Sequence, residues 1–362
     1  MKIAIVGCGK FADAHVEQIG RLPELGRVVA TCDAEPLMAE QLAVRYGIPA
    51  HYSSFDAMLA EVRPDVVHIA TPPGAHLELA RRAFEAGAHV YVEKPLAPTL
   101  EAARALLGAA EAAGRKLTVG YTYLFDPPAR RLRELIAEGV LGEVLHVESF
   151  YGYDLAGPFG RGMMADPNHW VHRLPGGLLQ NNIDHLINKI AEFLPAEAVE
   201  VDARGGRQRA MRYHDVRDRT FDELRLRLRA DGVSAYGTFS SHIRPGAHWC
   251  RVYGSRNTAL VDIANRSLTL SAGARLPSAI GRLGVPFEQA VRFASEGWRN
   301  LRDFARSDYH FFGGLEHLIR AFYRSIIDGT APPIPYRDML RTSTIMDEVF
   351  RQLEEQQSSC AS

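Results

Sequence analysis

The sequence predicts an α/β protein, an N-terminal doubly wound parallel sheet followed by a larger α+β domain with a mostly antiparallel sheet. Three observations predict it. Short β-branched runs (IAIV, VVAT, VVHIA, HVYVE) recur through the first 120 residues with segments of helical length between them, the rhythm of βαβ units whose right-handed crossovers put helices on both faces. Runs such as DELRLRLRA and VSAYGTFSS alternate further along, as antiparallel strands with one wet face do. The length, 362 residues, is more than twice that of a usual domain of roughly 100–150 residues.

The text changes between Gly120 and Pro128, where a basic helix candidate, ARRLRELIAEG, precedes a long strand candidate, EVLHVESFYGYD. The expected domains are therefore residues 1–122 and 123–362. Residues 271–310 lack strand pattern and read as an inserted helical segment.

Composition narrows the function. Apolar residues make up 46% and charged residues 23%, which excludes a wholly disordered chain. Lys plus Arg (42) nearly cancel Asp plus Glu (43), so no global field favours nucleic acid, and a small-molecule partner is expected. Cys8, Cys32, Cys250 and Cys360 form no CxxC pair, so neither a metal site nor a disulfide framework is expected. A cytoplasmic, reducing location follows as the expectation. Gly7 and Gly9 interrupt the opening apolar run before a signal-peptide core or membrane span can form.

Gly7-Cys8-Gly9-Lys10-Phe11-Ala12 follows the strand IAIV and opens the helix candidate FADAHVEQIGRL, the context that a G-x-G-x-x-G/A dinucleotide fingerprint requires. Gly7 permits the tight turn, Gly9 lets backbone approach a pyrophosphate, and small Ala12 allows close helix–strand packing. The helix N-terminus then offers N–H groups to the phosphates. Asp33 ends the next strand, where a carboxylate accepts from ribose hydroxyls and repels a 2′-phosphate. Ala34 and Glu35 follow it, with no basic residue. NAD is expected in preference to NADP, on a Rossmann domain.

Thr71-Pro72-Pro73 and Glu93-Lys94-Pro95 lie at the carboxyl ends of later strands, where ligands of such sheets bind. The segments GCGKFADAH, ATPPGAH, EKPLA and VGYTYLFDP, in this order, resemble the glucose–fructose oxidoreductase, inositol dehydrogenase and MocA family. The resemblance covers nearly the whole chain. It implies NAD(P)-dependent chemistry on sugars or cyclitols, a second domain with an open sheet, and assembly as a homodimer or homotetramer. It also implies cofactor contacts at Lys10, Phe11, Thr71, Pro72, His76, Glu93 and Lys94. Lys94 matches the family's cleft lysine, whose ammonium would stabilise the charge that develops on oxygen as hydride leaves carbon.

Ile183, Leu186, Ile187, Ile190 and Leu194 form one helical stripe, with Asn181, His185 and Asn188 on the opposite face. Periodicity leaves open whether that polar face is solvated or functional. The resemblance favours function: His185 matches the family's acid/base histidine, while Asn181 and Asn188 stand where the family has Asp. Asn181 is then expected to orient substrate rather than move a proton, and neighbouring Asp184 is a substitute acid candidate. In VGYTYLFDP, Leu124 stands where Arg is common. Tyr121, Tyr123, Tyr151, Tyr153, Arg161, His169 and Trp170 are candidates for shaping a substrate pocket, with Tyr121 and His169 chosen among them.

Inside the inserted segment, Phe287, Ala290, Val291, Ala294, Trp298, Leu301 and Ala305 repeat at helical spacing among Arg292, Glu296, Arg299, Arg302 and Arg306. The apolar face is expected to pack on its own domain, with a partner subunit or a membrane contacted through residues 286–306 as alternatives. The expected activity is NAD-dependent interconversion of an alcohol and a ketone on a sugar, nucleotide-sugar or cyclitol. Transient oxidation within a redox-neutral epimerisation, elimination or glycosidase reaction is the alternative within catalysis, and a non-catalytic dinucleotide sensor the alternative outside it.

Overall fold

The computed structural model describes residues 1–166, 168–195, 198–207, 212–213, 216–217, 221–272, 278–306, 309 and 312–361. These form two compact units, one of residues 1–122 with 314–344, the other of residues 123–313 with 345–362.

In the first unit, β1 (Lys2–Val6), α1 (Lys10–Gly20), β2 (Arg27–Cys32), α2 (Pro36–Tyr46), β3 (Ala50–Tyr52), α3 (Phe55–Val62), β4 (Val66–Ile69), α4 (His76–Glu85), β5 (His89–Val92), α5 (Leu100–Ala112) and β6 (Leu117–Val119) alternate. The strands are all parallel in the order β3-β2-β1-β4-β5-β6. Order reverses at β1, the switch point at which such sheets bind ligands. Local chemistry starts and stops the helices. Ser54 and Thr99 accept from the amides of Ala57 and Ala102 at the heads of α3 and α5. Pro36 opens α2, and Gly47, at φ 64°, closes it in the left-handed region. β1 and β4 are buried from Ile3 to Val6 and from Val66 to Ile69, as strands covered on both faces must be.

The second unit begins with α6 (Pro127–Ala137), β7 (Val144–Asp154), α7 (Pro158–Ala165) and α8 (Gly177–Ala191). β8 (Glu200–Gly206), β9 (Arg212–Tyr213), β10 (Val216–Arg217), β11 (Glu223–Ala230), β12 (Val233–Ser240), β13 (His242–Gly254), β14 (Asn257–Asp262) and β15 (Ser267–Ala272) follow, then α9 (Ser278–Ala305). Seven strands form one sheet in the order β15-β14-β13-β7-β12-β11-β8, antiparallel except between β7 and β12. On β11, Leu224, Leu226 and Leu228 are buried while Arg225, Arg227 and Arg229 are exposed, the expected alternation. α8 lies against β7 and β12, where Gly237 leaves room for Leu186.

α10 (Gly313–Ile327) and α11 (Tyr336–Ala361) complete the chain. Residues 314–344, which the sequence reading left with the second domain, pack instead with the first unit. Leu117 donates its amide to the Tyr336 hydroxyl at 2.9 Å, and Lys116 donates to the carbonyls of Ser325 and Thr330. The second half of α11 belongs to the second unit, where the Phe350 ring rests on Gly176 so closely that a Cβ there would lie 2.1 Å from it. No helix among the described residues is long and apolar enough to cross a membrane.

Candidate functional site

The fingerprint turn is built as its residues require. Gly7 has φ 86°, and a Cβ there would lie 2.8 Å from backbone atoms of Ala70 and Thr71, so only glycine fits between β1 and the end of β4. A Cβ on Gly9 would meet nothing within 4 Å. Gly9 caps α1 with no side-chain hydrogen bond, so backbone lines the space in front of the helix N-terminus. That is the cradle a pyrophosphate fits. Ala12 is fully buried beneath it, and Lys10 and Phe11 are exposed beside it.

Asp33 accepts from the Cys8 amide at 2.6 Å through Oδ2 and from the Glu35 amide at 2.9 Å through Oδ1. The carboxylate is thereby tied to the fingerprint and keeps acceptor capacity, since each oxygen offers two lone pairs. Burial, reinforced by Asp33, pushes the Cys8 and Cys32 thiols up to about 12 and about 11, so both stay protonated and inert.

At the end of β5, Glu93 joins the fingerprint to the lysine. Its Oε1 lies 2.9 Å from His15 Nε2 on α1, and its Oε2 accepts from the Lys94 amide at 3.2 Å. The contact continues inward: His15 Nδ1 faces His68 Nδ1 on β4 at 2.9 Å, and His68 Nε2 faces the Tyr323 hydroxyl on α10 at 2.8 Å. All four side chains are buried, and Tyr91 stacks on His68 with ring centroids 4.7 Å apart. Gly120 completes the arrangement, because a Cβ there would press to 2.7 Å from the Glu93 carboxylate. Lys94, half-buried, starts the Lys94–Pro95 turn.

Thr71 and Pro72 sit at the end of β4. His76 is fully buried, and its two ring nitrogens face the carbonyls of Leu96 and Thr71 at 3.1 and 3.0 Å. It braces the two loops. Burial keeps it below the usual histidine range, so it donates to one carbonyl at a time. Tyr121, also in this unit, is 2% exposed.

In the second unit, α8 is buried on every side from Leu178 to Ala191, so the solvated reading of its polar face is wrong. Gly177, at φ 53°, starts the helix, and Gln180 accepts from the Gly176 amide at 2.9 Å. His185 meets the edges of Tyr123 and Tyr151 at centroid distances of 4.8 and 5.5 Å, with His248 of β13 at 6.4 Å. Asn181 lies one turn before it. Burial, then the charge of Lys189, holds His248 well below the usual range, so it is a neutral ring at neutral pH. Burial likewise pushes Tyr123 up to about 12, leaving a phenol able to donate.

Asp184, the substitute acid candidate, is fully buried. Both side-chain polar atoms of Asn188 and the Lys189 ammonium nitrogen are buried without hydrogen-bond partners among the described residues. His169 caps its own turn, its Nδ1 accepting from the Val171 amide at 3.3 Å.

Sequence reasoning missed His15, His68, Tyr323, His248 and Lys189. A signal existed for His68, a polar residue in the middle of a continuously apolar strand, but it does not name the partner.

Residues 1–121 match the model of an oxidoreductase family with an NAD-binding Rossmann fold, and residues 129–260 match the GFO/IDH/MocA C-terminal domain. The chain is 37% identical over 145 residues to a D-glucoside 3-dehydrogenase of Escherichia coli (strain K12), covering 40% of this chain and 41% of that protein. It is 29% identical over 203 residues to an inositol 2-dehydrogenase of Rhizobium meliloti (strain 1021), covering 56% and 58%. The matched stretches thus span about half the length of these relatives. The WlbA dehydrogenase of Bordetella pertussis, solved with NADH and UDP-GlcNAcA, superposes with a TM-score of 0.77 at 18% identity over 98% of this chain and 96% of that one, a likeness of fold.

Proposed function

We propose, from the premise that this chain belongs to the Gfo/Idh/MocA family of oxidoreductases, that it moves hydride between NAD and a hydroxyl-bearing carbon of a sugar, nucleotide-sugar or cyclitol. One observation carries the reading. Glu93 spends one carboxylate oxygen on His15 of the fingerprint helix and the other on the Lys94 amide. The dinucleotide cradle and the lysine are therefore one hydrogen-bonded piece.

NAD, when bound, supplies the nicotinamide carbon that accepts hydride. This chain's residues do the rest. Gly7 and Gly9 admit the pyrophosphate, with Thr71, Pro72 and Phe11 beside it. His76 and Glu93 position the loops without touching substrate. Lys94 holds the reacting hydroxyl and stabilises charge on its oxygen as the C–H electron pair leaves. His185 takes the hydroxyl proton, and a carbonyl forms. Asn181 orients substrate by its amide, since an amide cannot take a proton, while Tyr121 and His169 serve as weaker substrate contacts.

Asp33 supports NAD over NADP, because a 2′-phosphate would meet like charge. The buried thiols of Cys8, Cys32 and Cys250 suit a cytoplasmic setting, and a homodimer or homotetramer is the assembly proposed. The test is NADH formation from a panel of sugars, uronic acids, nucleotide-sugars and cyclitols, with Lys94→Ala beside the wild type. The variant should still bind dinucleotide and turn over at least ~10²-fold more slowly. Near-normal turnover would remove Lys94 from the chemistry, and turnover without net NADH would show a redox-neutral reaction.

A further inference from the structure

α9 lies the opposite way round from the usual amphipathic helix. Its polar side docks: Glu296 is buried, bridges Arg131 and Arg299 at 3.0 and 2.8 Å, and accepts from the Leu268 amide at 3.2 Å. Asn300 donates to the Asn265 carbonyl beside it. The apolar arc faces outward instead, with Leu283, Phe287, Val291, Trp298, Leu301 and Phe304 each 55–77% exposed.

Three aromatic side chains of roughly 150–250 Å² each, with three aliphatic ones, expose on the order of 800 Å². That exceeds the ~300–600 Å² of the largest patch on an ordinary monomer and equals the ~800 Å² that each partner gives to a stable interface. The helix also lies beyond the residues that match the family's C-terminal domain, 129–260.

We propose that this face binds a second copy of the chain, the two α9 helices antiparallel across a two-fold axis at Ala294. In that register Trp298 comes opposite Ala290, Val291 opposite Gly297, Leu283 opposite Ala305 and Phe304 opposite Gly284. Each of these four bulky residues meets a small one. Phe287 faces Leu301, and Ala294 faces itself. A two-fold interface demands this reciprocity, residue i meeting j and j meeting i. The small residues have room to receive their partners, since a Cβ on Gly284 or Gly297 would meet nothing within 4 Å among the described residues. In the same register Glu288 comes opposite Asn300, Arg299 opposite Gln289 and Arg302 opposite Pro286.

A lipid surface fits less well. Interfacial helices gain from unpaired basic residues on the polar side, whereas Arg292, Arg299 and Arg302 here pair with Glu288, Glu296 and Asp303.

The test is disulfide trapping of the full chain in a Cys360→Ser background, the thiols of Cys8, Cys32 and Cys250 being buried. Ala294→Cys should cross-link to a dimer under mild oxidation, while Glu288→Cys, facing Asn300 instead of itself, should not. By sedimentation, Trp298→Glu should raise the dissociation constant at least ~10²-fold, the scale of a central aromatic anchor, with NADH binding retained as evidence of folding. Equal cross-linking of the two cysteine variants overturns the proposal. So does an unchanged sedimenting mass in Trp298→Glu, or wild-type binding to phosphatidylcholine–phosphatidylglycerol vesicles that this substitution abolishes.

Discussion

His15 and His68 face each other nitrogen to nitrogen, Nδ1 to Nδ1 at 2.9 Å, in the interior of the dinucleotide unit. One order of donation satisfies every partner: Tyr323 to His68, His68 to His15, and His15 to the Glu93 carboxylate. The chain ends on the carboxylate that holds the Lys94 amide. Tyr323→Phe leaves His68 Nε2 without its donor and should cost about 1–3 kcal/mol, as should His68→Leu, which orphans His15 and Tyr323. The double variant should cost less than the sum, because both remove one shared bond. Urea unfolding of the three variants checks this, and strict additivity would show that the two sites are uncoupled.

Acid should destabilise the fold below about pH 6.5. Burial holds His68, His76 and His248 below the ordinary histidine value and lowers His89 to about 4. Unfolded imidazoles take up protons near ~6.5, whereas these native ones resist, so the unfolded state binds more protons and stability falls as pH drops through that value. The slope should approach ~1.4 kcal/mol per pH unit for each histidine concerned. Melting temperatures measured from pH 8 to pH 5 test the sign; a rise on acidification would contradict it.

Lys189 works against stability. Burial lowers it to about 7, and its nitrogen has no hydrogen-bond partner among the described residues. The unfolded lysine holds its proton up to ~10.4, so wild-type stability should climb with pH between about 7 and that value. Lys189→Met removes the titration. The variant should be more stable by a few kcal/mol at pH 7 and below, the gain shrinking toward pH 10. Denaturant midpoints at three pH values would decide it.

Asp33 should set the choice of dinucleotide. Its carboxylate is pinned to the Cys8 amide, so it cannot swing away from a 2′-phosphate. Calorimetry should show NAD bound more tightly than NADP by the wild type, and Asp33→Ser should narrow the difference. Tighter NADP binding by the wild type would remove the assignment.

His185 should supply the rising, low-pH limb of the pH–rate profile. Oxidation needs the unprotonated ring, so kcat/KM should rise with pH, and His185→Asn should abolish that rise. Asn181→Asp places a carboxylate one helical turn away and should move the limb to higher pH by stabilising the imidazolium. An unchanged limb in His185→Asn would assign the proton to another group.

The residues legible in the sequence are those whose meaning is local. Gly7, Gly9 and Ala12 are fixed by one turn between one strand and one helix, and Lys94 by its place at a strand end. The pairing of His15 with His68 spans 53 positions, and no spacing rule encodes it. α8 misleads periodicity because packing buries all of its faces, so its asparagines and Lys189 read as surface residues. α9 shows the complementary failure. Its repeat gives the apolar face, but the direction of that face depends on Glu296 finding Arg131, 165 positions away.

The return of residues 314–344 to the first unit has a consequence for the order in which the protein is made. Tyr323 completes the histidine chain, and Tyr336 and the carbonyls of Ser325 and Thr330 secure the start of β6. On a ribosome adding about 5–20 residues per second, these partners emerge roughly 10–45 seconds after residue 122. Through that interval the nascent nucleotide unit carries two buried-type histidines and a sheet edge that nothing yet covers. The unit begun first is completed only after residues 123–313 of the second have been made.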